Sequence, residues 1–293
     1  MRGSRPRVVL GLHRSRHDRL ILEHALAAGV RAIDTAFNYR GFGSHRTLAA
    51  AAADLLAEFA VSTKVGFFPG PAGTPVHSLD PVRLRDALDE SAATLDLVPE
   101  TVFLHNPERA LTSTDPAENL DRLAAAAAVL AQAKAAGLCR SWGVSTWDAR
   151  PLAAAVTDAA AAARVPAPQV LMTRAGLLVA ADVLDAAEHL AGLYGLDTGA
   201  RWGMSPFGGQ VQRPVWKTLD PRGFLAPHQN ATVAQALLRV AYVLPPVGRM
   251  AVGTDDPAHL DELLAAAELD VDEQRIARYR ELLRARAVSA AAR

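Results

Sequence analysis

Four residues of different ionisable types fall within the first 105 positions, three of them closing short apolar runs. Asp34 closes Arg31-Ala32-Ile33, Lys64 closes Ala60-Val61-Ser62-Thr63, His105 closes Thr101-Val102-Phe103-Leu104, and Tyr39 follows shortly after Asp34. Brought to one place, these groups could do acid–base chemistry on a carbonyl. A desolvated lysine needs a carboxylate partner to keep its charge, and Asp34 is placed to be that partner. An ammonium beside a phenol favours phenolate, so Lys64 is expected to lower the Tyr39 pKa from about 10. A phenol tuned in this way gives a proton to a carbonyl oxygen and, in reverse, takes one from an alcohol. His105 can hydrogen-bond the same oxygen and orient it. Taken singly, Asp34 reads as a helix cap, Tyr39 as rim packing, Lys64 as a solvated loop-end charge and His105 as a structural histidine. Their shared position at the ends of successive strands is what favours function.

The elements that must hold them alternate along the whole chain. Strand-like segments at 8–12, 31–34, 60–64, 101–105, 140–145, 169–172, 201–205 and 250–253 each precede a helical pattern. Those patterns cover 19–28, 45–57, 80–95, 116–136, 149–163, 182–193, 231–243 and 257–267, with one more helix at 272–286. Eight such pairs predict βαβ units and a parallel sheet. The length suits a closed (β/α)8 TIM barrel, one domain over residues 1–293 with an extra C-terminal helix. A doubly wound open sheet is the competing architecture. Its Gly-x-Gly-x-x-Gly turn is absent after the first strand, where the chain runs Gly11-Leu12-His13-Arg14-Ser15-Arg16. No Pro-, Gly- or Ser-rich linker divides the chain, and the longest irregular stretch, 208–229, follows the seventh strand.

In such a barrel the reactive face is the C-terminal end of the strands. That face would also carry Ser145-Thr146 at the end of the fifth strand, with Gln169 on the sixth. The loop His13-Arg14-Ser15-Arg16-His17-Asp18-Arg19 follows the first strand and suits an anionic or highly polar substrate; equally, it is a solvated helix start. Phe42, Phe67, Phe68 and Trp147 could wall an apolar substrate pocket or serve as loop packing.

Composition removes other functions. Lys+Arg and Asp+Glu are 31 each, so the chain has no net pull on nucleic acid or an anionic membrane. Half of the residues are hydrophobic, too many for a disordered chain. No stretch reads as a membrane span, because Gln132 and Lys134 interrupt the alanine-rich segment 123–138. The basic start of the chain is followed by an apolar run of strand length only, with no cleavage pattern, so no signal peptide is read. The single Cys139 cannot form an internal disulfide. Together these features lead us to expect a cytoplasmic protein. No His-x-His or His-Glu-x-x-His pattern calls for a metal.

The segment Arg31-Ala32-Ile33-Asp34-Thr35-Ala36-Phe37-Asn38-Tyr39-Arg40-Gly41 resembles the Asp-Thr-Ala-x-x-Tyr-Gly signature of the aldo-keto reductases. Ser62-Thr63-Lys64, Phe103-Leu104-His105-Asn106-Pro107 and Trp142-Gly143-Val144-Ser145-Thr146-Trp147 are similar to later blocks of that family, in the same order. The resemblance continues through Ser205-Pro206-Phe207-Gly208-Gly209 to Val252-Gly253-Thr254, and the segment 204–209 looks most like the sugar-dehydrogenase-like branch. It implies hydride transfer between a nicotinamide cofactor and the carbonyl or alcohol of a small aldehyde, ketone or sugar. The family's catalytic tetrad falls on Asp34, Tyr39, Lys64 and His105, its carboxamide-binding pair on Ser145 and Thr146, and its glutamine on Gln169. Met204 stands where a tyrosine usually stacks on the nicotinamide, a softer contact. Ser205, Gly253, Thr254 and His259 fall in the cofactor-binding segments, and His13, Phe42, Phe67 and Trp147 line the implied substrate side.

The chain departs from the family at several of these positions. Thr146 replaces an asparagine, and Ser44-His45-Arg46 lies where a glutamate is usual. The segment after the last strand reads Gly253-Thr254-Asp255-Asp256-Pro257-Ala258-His259, where Lys or Arg commonly marks a preference for NADP. Two aspartates there repel a 2′-phosphate, which favours NAD(H), while the following helix N-terminus favours anions. Arg213, Arg222 or Arg249 could supply the missing charge. On the family pattern the expected cofactor is NADP(H). A non-catalytic, cofactor-binding regulatory protein of the same fold is the alternative, and the complete tetrad argues against it.

Overall fold

The computed structural model describes residues 7–291; residues 1–6, the basic start of the chain, and 292–293 lie outside the described residues. Ten strands occur among them. They are β1 (Arg7–Gly11), β2 (Ala32–Asp34), β3 (Ala60–Val65), β4 (Phe67–Pro69), β5 (Pro75–His77), β6 (Thr101–His105), β7 (Ser141–Thr146), β8 (Val170–Arg174), β9 (Arg201–Met204) and β10 (Arg249–Val252). Eight of them close in the order β1-β10-β9-β8-β7-β6-β3-β2, all parallel, as the (β/α)8 reading required. The remaining two, β4 and β5, pair antiparallel as a hairpin immediately after β3, an insertion outside the eight expected strand–helix pairs.

Side chains alternate across each strand, so every second residue faces the barrel axis. Val9, Phe103, Val170, Met172 and Trp202 fill the interior, with Phe103 and Trp202 edge to face at 5.3 Å. Such a pair contributes on the order of 1 kcal/mol beyond its buried area. The alternate residues Leu10, Ile33 and Val61 pack outward against helices, as do Val102, Leu104, Trp142 and Val144. The same two-residue period places Gly11, Asp34, Lys64, His105, Ser145, Arg174 and Met204 on the inward face at the C-terminal ends of their strands.

Several helices start with the same local device. Asp80, Asp115 and Asp256 each precede a proline, and each carboxylate accepts a backbone N–H of the first turn that follows. Proline lacks an N–H that would go unsatisfied there, and such a cap stabilises by about 1 kcal/mol. The expected helix over 149–163 is instead two short ones, Arg150–Ala155 and Ala159–Arg164. Val156 leaves helical geometry and Asp158 restarts it by accepting from Ala161 N, a cap in the middle of an alanine-rich run. The stretch 208–229 is less irregular than expected, since it contains a short helix at Val215–Thr218 and a 3-10 turn at Pro221–Phe224. The final helix, Glu273–Ala291, docks on the helix Ala181–Leu193, where Arg280 bridges Asp185 and Glu188. Among the described residues no helix is long and apolar enough to cross a membrane.

Candidate active site

Lys64 projects from the inward face of β3 with almost none of its side chain exposed. Its ammonium pairs with the Asp34 carboxylate and donates to Thr35 O at 2.9 Å and to Tyr39 Oη at 3.2 Å. Asp34 is held in turn by Ser62, whose hydroxyl donates to Asp34 Oδ1 at 3.0 Å. Asp34 and Ser62 are register partners on adjacent strands, so the sheet itself fixes this contact. Tyr39 sits in a tight turn in which Arg40, Gly41 and Phe42 all adopt positive φ. That turn swings the phenol back over Lys64, whose nitrogen lies 5.0 Å from the ring centre.

His105 ends β6, with its ring edge-on to Phe67 at 4.9 Å and to Tyr39 at 6.2 Å. Gly66 makes this approach possible: a Cβ there would lie 2.8 Å from His105 O, and its φ of +142° suits only glycine. His77 from the hairpin lies within hydrogen-bonding distance of His105 O through Nε2, at 2.9 Å. Burial, then the Lys64 cation, keeps the His105 pKa well below 6.5, so its imidazole is neutral. Burial opposes the Lys64 charge, but the Asp34 carboxylate and then Tyr39 lift its pKa above the usual lysine value.

Tyr39 corrects the expectation from sequence. Its pKa is raised above that of an ordinary phenol, because desolvation outweighs the opposing pull of Lys64. The group is therefore a well-protonated acid and not a ready phenolate.

Ser145 is the register partner of both His105 and Met172, and among the described residues its buried hydroxyl meets only the Met172 sulfur, at 3.5 Å. Thr146, expected beside it in the mouth, faces the other way. Its hydroxyl is bonded to Glu108 Oε2 and to Asp148 O, each at 2.9 Å, in the layer outside the barrel. Trp142 and Val144, four and two residues earlier, are packed in that same outer layer, so the period already carried this signal. Gln169 lies at the opposite end of the barrel, before β8 begins, where its backbone and side chain bond Trp142. Trp142 is three residues below Ser145, about 10 Å along the strand. The residue opposite Ser145 is Met172, and the polar residue that ends β8 is Arg174, which is not among the residues expected at the mouth from sequence.

Met204 ends β9 beside Arg174 and Ala251, and Ser205 follows it in the left-handed region at φ +57°. Gly253 passes so close to the first strand that a Cβ would lie 2.8 Å from Gly11 O. Thr254 accepts Asp256 N at 3.0 Å, and Asp256 caps the helix Pro257–Ala265 through Ala258 N at 2.9 Å. His259 is exposed, 3.7 Å from Asp256. Asp255 has a structural role besides its charge, because Ser15 Oγ donates to it at 2.5 Å and Arg16 N at 2.9 Å. The basic first loop and the acidic last loop are thus joined across the mouth. The first loop also buries His17, which contacts Ser44 Oγ at 2.6 Å, and Ser44 meets Thr35 Oγ1 at 2.7 Å behind the Lys64 site.

Of the substrate-side candidates, His13 stacks at a tilt 5.0 Å from Tyr39, and Phe67 lies against His105. Trp147 is half exposed at the rim with the Arg174 guanidinium 5.1 Å from its ring centre. Phe42 packs edge-on against Phe37 in the helix layer, and Phe68 is buried under Arg83, so neither walls the mouth. Among the described residues no cluster of His, Cys, Asp and Glu could hold a metal ion.

The model of the aldo/keto reductase family matches residues 14–196, more than half of the sequence. The chain belongs to that oxidoreductase family. No curated protein sequence matches it. Solved structures agree in fold. The holo form of an aldo-keto reductase from Bacillus halodurans superposes with a TM-score of 0.70 at 16% identity over 94% of this chain and 91% of that one. An aldo-keto reductase from Klebsiella pneumoniae in complex with NADPH gives 0.64 at 18% identity, over 95% and 91%. One from Brucella melitensis gives 0.62 at 17% identity over 94% of both chains.

Proposed function

We propose that this chain transfers hydride between NADP(H) and the carbonyl or alcohol of a small aldehyde, ketone or sugar, with Tyr39 as general acid and base. The observation that carries this reading is the 3.2 Å contact from the buried Lys64 ammonium to the Tyr39 hydroxyl, with Asp34 anchoring the lysine.

The mouth fits a nicotinamide cofactor. The buried Ser145 hydroxyl has no oxygen or nitrogen partner among the described residues and can serve a carboxamide. His105 Nδ1 is likewise buried without a hydrogen bond. Met204 offers an apolar, polarisable surface next to them. With Thr146 turned outward and Met172 opposite Ser145, the carboxamide grip reduces to the serine. The reduced nicotinamide supplies the hydride. NADP(H) is favoured by the NADPH-bound Klebsiella pneumoniae relative.

The protein's own groups divide the remaining work. Tyr39, protonated at neutral pH, gives its Oη proton to the carbonyl oxygen as negative charge grows there. Lys64 then stabilises the phenolate that is left, at a cost already met by Asp34. Neutral His105 orients the carbonyl by hydrogen bonding without adding charge. In the alcohol-to-carbonyl direction the same Tyr39 oxygen takes the proton. Trp147, Phe67 and His13 border the substrate side. The test is NADPH oxidation by the purified protein against an aldehyde and sugar panel, with NADH in parallel and fluorescence titration of both cofactors. Turnover lost in Tyr39→Phe supports the assignment; full activity in that variant removes Tyr39 from the mechanism.

A further inference from the structure

Arg174 ends β8 on the inward face, two residues beyond Met172 and paired with Met204 across to β9. It is a partly buried cation with no hydrogen bond or ion pair among the described residues, and its Nε is fully shielded from solvent with no acceptor. Among the described residues its guanidinium lies over the face of Trp147, 5.1 Å from the ring centre. The acidic groups nearest to it are already engaged. Glu108 accepts from the Thr146 hydroxyl and from the backbone N–H groups of Trp147 and Asp148. Asp148 is clamped by Arg150, which also binds Asp182. A guanidinium partly withdrawn from water without an acceptor is costly, and because Nε is shielded, the edge left for two carboxylate oxygens is the one formed by the two terminal nitrogens.

We infer that Arg174 and Trp147 form the subsite for a carboxylate carried on the substrate, so that the preferred substrates are short oxo-acids and not neutral carbonyl compounds. The inference rests on the reductase reading of the Tyr39 site. His105, Ser145 and Met172 are in register across three neighbouring strands, and Arg174 lies two residues further out. Strand spacing and rise put its Cα on the order of 12 Å from that of His105. Both residues end their strands on the inward face at the mouth, and a separation of this order suits a chain of a few carbons with an aldehyde at one end and a carboxylate at the other. The exposed guanidinium of Arg109, held 5.5 Å from the Phe67 ring on the other side of His105, adds to the same positive rim. A desolvated cation of this kind also gives up binding strength unless it meets an anion, which agrees with the downward shift that burial imposes on Arg174.

The test compares 4-oxobutanoate with butanal, which differ by the carboxylate, in the wild type, Arg174→Gln and Arg174→Lys. The ratio of kcat/KM for the two aldehydes should favour 4-oxobutanoate in the wild type. It should fall on the order of 10- to 100-fold in Arg174→Gln, the range of a lost charge-assisted contact, and recover in part in Arg174→Lys. Equal turnover of both aldehydes by the wild type, or an unchanged ratio in Arg174→Gln, overturns the inference. So does an unchanged ratio accompanied by a weakened NADPH dissociation constant, which assigns Arg174 to a cofactor phosphate. If the wild type reduces neither aldehyde, the reductase reading fails, and the subsite is then tested by binding alone. In that case 4-oxobutanoate should change tryptophan fluorescence through Trp147 in the wild type and not in Arg174→Gln, and a response identical in both proteins or absent from both overturns it.

Discussion

The Asp34–Lys64 pair allows the sharpest test of how this site is built. Both side chains are almost wholly buried, at 5% and 2% exposure, so neither charge has water to fall back on. Asp34→Asn keeps the shape and keeps an oxygen for the Ser62 hydroxyl, but it removes the charge facing the ammonium. Breaking a buried pair from one side costs about 3–5 kcal/mol, because the other ion is stranded. That is a large part of a domain stability of about 5–15 kcal/mol. At about 2–4 °C per kcal/mol for a chain of this order, the melting temperature should fall on the order of 10 °C at pH 7.

The loss should depend on pH in a defined direction. In the wild type the folded Lys64 pKa is raised, so its contribution is complete below the unfolded value of about 10.4 and is lost only as pH rises through the folded value. In Asp34→Asn the ammonium lacks its principal partner and its folded pKa drops below the unfolded one. The unfolded chain then binds the extra proton, and the variant gains stability as pH rises toward about 10.4. The gap between the two proteins should therefore be widest near neutrality and narrow on the alkaline side. Adding Lys64→Met to Asp34→Asn should restore much of the loss, since an apolar pair of similar volume is often as stable as a buried ion pair. Urea unfolding at pH 7 and pH 10 measures all three proteins. A single variant within about 1 kcal/mol of wild type would refute the stranded-charge argument, being far below the cost of an unpaired buried ion. A double variant less stable than the single would do the same.

Other consequences follow from the geometry around this pair. Tyr39→Phe removes only the acid and should lower turnover by about 10²- to 10⁴-fold with unfolding unchanged, read from steady-state kinetics beside a melting curve. Because the Tyr39 pKa is raised and that of His105 lies well below 6.5, carbonyl reduction should show no histidine inflection near neutrality and should decline only above about pH 10, while alcohol oxidation rises there. Met172→Gln places an amide opposite Ser145 and should tighten NADPH binding by about 2- to 10-fold, the range of one added hydrogen bond, measured by fluorescence titration. Thr146→Val should leave that titration little changed. It should nonetheless destabilise the protein by about 1–3 kcal/mol, since the half-buried Glu108 carboxylate loses a donor.

The architecture was legible because its determinants are local. Strand-length apolar runs, Asp-Pro helix starts and the two-residue period are properties of short segments, and eight of them in alternation leave few closed arrangements. The tetrad was legible for the same reason: Asp34, Lys64 and His105 each lie at or next to the C-terminal end of a strand, and a parallel barrel brings all those ends to one rim. The errors fell where direction or environment decides. Gln169 precedes its strand where Arg174 ends it, and Thr146 is one residue out of phase with the inward-facing Ser145. Asp255 is distant in sequence from Ser15 and Arg16, so its role as their acceptor exists only once the barrel closes and sets β10 beside β1. The Tyr39 pKa shows the limit most clearly. Sequence proximity to a lysine-bearing strand gives the sign of the charge interaction, but the desolvation that reverses the outcome depends on how much protein surrounds the phenol after folding. Residue type and spacing determined which groups meet; the packed structure alone decided which way they face, what they touch and which protonation state they keep.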